Sequence, residues 1–98
     1  MVIYIAGPIT GVPDYKRNFN QAENGLLIRG HTPLKPSILP NGLTDAQAMR
    51  ICLSMIDEAD AVLFLQDWEY SAGAKLEHAY CEYFGKPIYY NLEEVPNR

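Results

Sequence analysis

A continuous apolar run, Ala61-Val62-Leu63-Phe64-Leu65, passes through a polar turn into a helical pattern that opens at Ser71. A run of strand length without polar alternation reads as a strand buried on both faces. Strands of that kind belong to parallel sheets covered by helices, so this stretch narrows the fold to α/β architectures. Ser71 suits a helix N-cap, because its hydroxyl accepts from a free backbone N–H. Leu76, Ala79, Tyr80 and Tyr83 recur at helical spacing and form the expected inward stripe. Gly73 and Glu77 lie one turn apart on a second stripe beside it.

The rest of the chain repeats the alternation. Val2–Ala6 is a short β-branched and aromatic run, a second buried strand. Gly7-Pro8-Ile9-Thr10-Gly11 breaks it into a tight loop where backbone can approach a ligand, although the local pattern alone reads as a plain turn. It lacks the Gly-Lys-Ser/Thr ending of a P-loop. Tyr15, Phe19, Ala22 and Leu26 mark one helical face, and Gly30 suits the position past that helix. Thr32–Leu34 is a weak strand, placed at a sheet edge by Pro33 and Pro36. Lys35–Gly42 reads as loop, with Asn41-Gly42 a turn. Thr44 and Gln47 form a capping box before a helix with Met49, Cys52, Leu53 and Ile56 inward. Gly85-Lys86-Pro87 closes the Ser71 helix, Ile88–Tyr90 is a last strand, and the tail Glu93–Arg98 is expected to fray.

The order βαβαβαβ predicts an α/β fold: a small doubly wound parallel sheet of four strands, order 2-1-3-4, with helices on both faces. Winding reverses between the first and third strands. The loops after them, Gly7–Gly11 and Gln66–Ser71, then face each other across the crevice where such folds bind ligands.

At 98 residues the chain reads as one domain, 1–98, with a core large enough to fold alone. A net charge of −4 argues against a nucleic acid polymer as partner, which needs basic patches. Cys52 and Cys81 form no CxxC pair, so neither a disulfide framework nor a zinc site is expected. Met1–Ile5 lacks the basic region of a signal peptide, and no apolar run approaches membrane-spanning length. The expectation is a cytoplasmic protein without membrane partner, metal or organic cofactor.

Tyr4-Ile-Ala-Gly-Pro-Ile-Thr-Gly11, followed by Gly73-x-x-x-Glu77, resembles the nucleoside 2-deoxyribosyltransferase superfamily, which includes deoxynucleoside 5′-monophosphate N-glycosidases. The resemblance runs from Val2 to Tyr90 and is strongest to short bacterial and phage proteins beside those enzymes. It implies a flavodoxin- or Rossmann-like domain acting on a small nucleoside or nucleotide. Glu77 would attack the anomeric carbon of a 2-deoxyribosyl group, release the base and form a sugar ester, resolved by water or a second base. Oxocarbenium chemistry suits a carboxylate in that role. The resemblance further implies that Tyr4 orients Glu77, Gly73 leaves room for the sugar, and Ser71 helps hold a 5′-phosphate. Gly7, Pro8, Ile9, Thr10 and Gly11, with Asp67 and Trp68, would contact sugar, phosphate and base. It implies a homo-oligomer, with a neighbour completing the site.

Two positions depart from the family pattern. Cys52 stands where those enzymes carry an Asp in the middle helix, and Pro8 and Thr10 replace a Ser and an Arg of the first loop. Three functions therefore stand open: an N-glycosidase or transferase, a nucleotide-binding module without catalysis, and a structural protein keeping only the fold. Single residues carry bland alternatives too. Glu77 is otherwise a solvated carboxylate pairing with Lys75 or His78, Tyr4 a core aromatic, Ser71 a cap alone, Asp67 and Trp68 parts of a surface loop, and His78 a surface side chain. Asp60 reads as structural, bonding loop N–H groups, rather than catalytic.

Overall fold

A computed structural model describes Met1–Arg98. Four strands, β1 (Val2–Ala6), β2 (Thr32–Leu34), β3 (Ala61–Phe64) and β4 (Ile88–Tyr89), alternate with three helices, α1 (Tyr15–Ile28), α2 (Asp45–Glu58) and α3 (Ala72–Phe84). The sheet is parallel throughout, in the order β2-β1-β3-β4, as the alternation predicts. Ile3 pairs with Pro33 on one side and Ala61 on the other, so the proline strand lies at the edge, where a missing N–H is tolerated.

Strand side chains alternate between two cores. Tyr4, Ala6, Val62 and Phe64 pack against Cys52 and Ile56 of α2 and Cys81 of α3. Ile3, Ile5 and Leu63 face Phe19, Ala22 and Leu26 of α1. The capping box at α2 is present: Thr44 Oγ1 accepts from Gln47 N, and the Gln47 side chain accepts from Thr44 N. The Ser71 hydroxyl accepts from Ala74 N at the start of α3. Asp60 Oδ2 accepts from Val2 N at 2.7 Å, a structural bond, though to the first N–H of β1 rather than to a loop. No helix is long and apolar enough to cross a membrane.

Three expectations are corrected. The tail does not fray: Val95 is buried against the α1 core, Arg98 N donates to Arg29 O, and the buried His31 ring reaches Pro96 O. The α3 stripe is turned, too. Ala74, Glu77 and Cys81 face the sheet, while Leu76 and Tyr83 are 48% and 84% exposed. Small residues at 74 and 81 let the helix sit close to Tyr4 and Phe64, and Glu77 enters the core because a hydroxyl is waiting there. His78 is not a surface side chain. It stacks on Trp68 with centroids 4.1 Å apart, and its ring nitrogens lie beside Tyr90 Oη and Glu82 Oε1.

Candidate active site

β1 and β3 lie side by side, and their carboxyl ends open at the point where winding reverses. Leu65 N donates to Ala6 O, drawing the two following loops together. Gly7 permits this closeness: a Cβ there would lie 2.9 Å from Leu65 Cβ. Gly11 turns the loop in a left-handed conformation, φ 77°, open to glycine without strain. These loops, the start of α3 and one face of α2 line an open cleft of about 1630 Å³. Typical small-molecule sites run to roughly 300–1,000 Å³, so this is a trough without a roof.

At its floor, Tyr4 Oη donates to Glu77 Oε2 at 2.6 Å. Both side chains are buried, Glu77 at 5% exposure, and both border the cleft. Short contacts of a hydroxyl to a carboxylate are strong where water is excluded. Burial pushes the Glu77 carboxyl up to about 7, with the Tyr4 hydrogen bond pulling the other way. Tyr4 is held far above the ordinary phenol range, first by burial and then by the Glu77 charge, so it remains a donor. Cys52 lies beside them; burial raises its thiol, opposed by Tyr4 and assisted by Glu77. Cys81, one turn beyond Glu77, is pushed up to about 11 by burial and by Glu77.

Pro8, Ile9, Thr10, Asp67, Ser71 and Gly73 also border the cleft, along with Gly7. An added Cβ at Gly73 would meet only Met49 Cε, at 3.5 Å, an ordinary van der Waals contact. Gly11 lies in the same loop without bordering the cleft. Trp68 lies elsewhere. Its ring joins Phe64, His78 and Tyr90 in an aromatic cluster and lines a separate hollow of about 350 Å³ on the far side of the loop. The reason is Asp67, whose left-handed φ of 68° turns the chain so that successive side chains part. Glu77 meets neither Lys75 nor His78; its hydrogen bond goes to Tyr4.

Sequence reading missed Asn18 and Gln21 of α1 and Asn41 and Asp45 after β2, all on the cleft wall, whereas Gln66 borders it as part of the loop expected there. A signal for the β2 loop existed: β2 neighbours β1, so its carboxyl end opens on the same crevice.

Substituting Tyr4 by phenylalanine tests whether the hydroxyl positions and ionises Glu77. A hydrogen bond to a charged group contributes about 1.5–3 kcal/mol, so its loss raises the Glu77 titration by about one pH unit or more. NMR titration of the Glu77 carboxyl in Tyr4→Phe reads that rise; an unchanged midpoint contradicts the role.

The fold and cleft define a doubly wound α/β protein whose crevice opens where the winding reverses. Solved structures sharing this fold include a 2-deoxyribosyltransferase from Bacillus psychrosaccharolyticus, 22% identical with a TM-score of 0.70, matched over 90% of this chain and 69% of that one. Another is a 2-desoxiribosyltransferase from Leishmania mexicana, 24% identical with a TM-score of 0.71, matched over 89% and 61%. The chain thus spans about two thirds of the length of these enzymes. No curated protein matches it. The chain belongs to the family described as Domain of unknown function (DUF4406), whose model matches residues 1–90.

Proposed function

We propose that this chain, as one domain over residues 1–98, cleaves or transfers the N-glycosidic bond of a 2′-deoxynucleoside or its 5′-monophosphate through a covalent Glu77 ester. The observation that carries the reading is the buried Tyr4–Glu77 pair at the floor of the cleft. A core carboxylate with a single hydroxyl partner is costly to keep, and such cost is usual where a group has chemistry to do. Glu77 oxygen attacks C1′; the C1′–N bond breaks and its electron pair leaves with the base, which takes a proton from water. Water, or nitrogen of a second base, then attacks C1′ and frees the carboxylate. Tyr4 holds Glu77 in place, Gly73 gives the sugar space, and the Gly7–Gly11 loop, Asp67 and Ser71 contact the substrate. Base release from deoxynucleosides, followed chromatographically with Glu77→Ala as control, tests it.

Cys52 favours one second reading, binding without turnover, because a thiol held protonated is a weak proton donor toward a leaving base. Saturable calorimetric binding without base release would select it. Trp68 fluorescence is no direct reporter, since that ring lies outside the cleft. A cytoplasmic setting suits the two free, buried thiols.

The chain acts as a homo-oligomer. α3 carries an apolar stripe on its outer side, with Leu76, Tyr83 and Phe84 at 48%, 84% and 65% exposure beside the exposed Lys75 and Glu82. An exposed apolar patch rimmed by charged residues marks an interaction site. Ala72 and Leu76 of this stripe also border the cleft, so a second copy seated there roofs it. Light scattering at micromolar concentration is expected to show a dimer or larger, and Leu76→Glu with Tyr83→Glu a monomer. A monomeric parent chain overturns this.

A further inference from the structure

The charge lining the cleft is of one sign. Its ionisable acids are Asp45, Asp67 and Glu77, and no Lys, Arg or His borders it. The chain's cations are held elsewhere: Lys35 by Asn20 and Glu23, Lys86 by Ala59 O, Arg29 by Gly25 O. Arg98 packs against Gly30, and Lys16, Arg17, Arg50 and Lys75 stand exposed on helix surfaces. A phosphate monoester brings about two negative charges at neutral pH. Its usual protein partners are cations or free main-chain N–H groups. Here Val12 N is bonded to Ile9 O and Ala74 N to the Ser71 hydroxyl, so at the start of α3 Ala72 N and Gly73 N remain as unpaired main-chain donors, set against three carboxylates. The uncharged polar groups of the wall, the amides of Asn18, Gln21, Asn41 and Gln66, match hydroxyls and base edges instead.

The leaving group is constrained in the same direction. When the C1′–N bond breaks, the electron pair stays on the base, which needs a proton unless it was cationic beforehand. The hydrogen-bearing groups buried beside Glu77 are the Tyr4 hydroxyl and the Cys52 thiol, a phenol and a thiol, both weak acids. A base carrying a positive charge departs neutral without their help and is drawn in by the carboxylates.

Resting on the glycosidic reading above, we propose that the cleft selects 2′-deoxynucleosides without a 5′-phosphate, and among them favours those whose base is cationic, such as N7-alkylated purines. The test compares 2′-deoxyguanosine, its 5′-monophosphate and N7-methyl-2′-deoxyguanosine with the intact chain. Because N7-methylation labilises the bond by itself, each kcat/KM is divided by the probe's non-enzymatic rate. The expected order is N7-methyl first and monophosphate last, the monophosphate at least about tenfold below the nucleoside at low salt and less so at high salt. Asp67→Asn, an exposed change that the left-handed backbone accepts, narrows that last gap about threefold. A monophosphate turned over as well as the nucleoside overturns the proposal while leaving the glycosidic reading intact. An N7-methyl probe with no greater acceleration than 2′-deoxyguanosine overturns the cationic preference. Should none be cleaved, the glycosidic reading fails, and calorimetric binding of the three probes still decides: the same order supports charge selection, and any other order, or no binding, ends it.

Discussion

Glu77→Ala is expected to lower base release by at least about 10³-fold, with substrate binding largely kept, because a missing nucleophile removes the reaction path rather than one contact on it. The geometry gives the reaction no substitute. Asp45 and Asp67 border the same cleft, but both are exposed, and neither is held by the Tyr4 hydroxyl as Glu77 is. Cys52 sits close enough to feel the Glu77 charge, yet its thiol is pushed up and away from the thiolate. The proposed activity is expected to carry a pH signature. Attack needs the carboxylate, so kcat/KM for the free chain rises as pH increases through about 7, the value to which burial lifts Glu77. Chromatography of released base from pH 5 to 8.5, for parent and variant, checks both statements. Activity that persists in Glu77→Ala places the chemistry elsewhere.

Glu77→Gln is expected to do the opposite to stability. On folding, the carboxyl moves from 4.5 to about 7, so the folded chain binds this proton more tightly than the unfolded one. The stability contributed by that protonation is fully present below about pH 4.5 and is lost as pH rises through about 7. At pH 8 the ionised group then costs the parent about 3 kcal/mol. Glutamine retains an acceptor for Tyr4 and sheds the charge, so the variant gains most of that amount at pH 8 and little at pH 4.5. For a chain of this size the gain corresponds to roughly 10–20 °C in Tm. Thermal melts at the two pH values check it. Parallel pH profiles for parent and variant would show that Glu77 ionisation does not burden the fold.

Much of the fold was legible because two short-range signals agree. Unbroken apolar strands, and caps at Thr44 and Ser71, divide the chain without help from tertiary contacts. Alternation then leaves few topologies, and the observed strand order is the simplest of them. What stayed hidden depends on long-range partners. Hydrophobic counting turns α3 outward at Glu77, since it cannot know that Tyr4, distant in sequence, supplies a hydroxyl in the core. The tail looks polar, yet Val95 finds a slot against α1 and His31 holds Pro96. Trp68 adjoins a crevice residue in sequence and still faces away, because one left-handed residue intervenes. Of the candidate site, the two converging loops follow from topology, and the depth of Glu77 does not.

The most direct test is intact-protein and peptide mass spectrometry of the chain quenched in acid during incubation with 2′-deoxyguanosine or its N7-methyl analogue. A fraction of the protein heavier by one deoxyribosyl group is expected, with the added mass on the peptide containing Glu77 and absent from Glu77→Gln. Base release with the adduct on another residue, or an adduct that survives in Glu77→Gln, would contradict it.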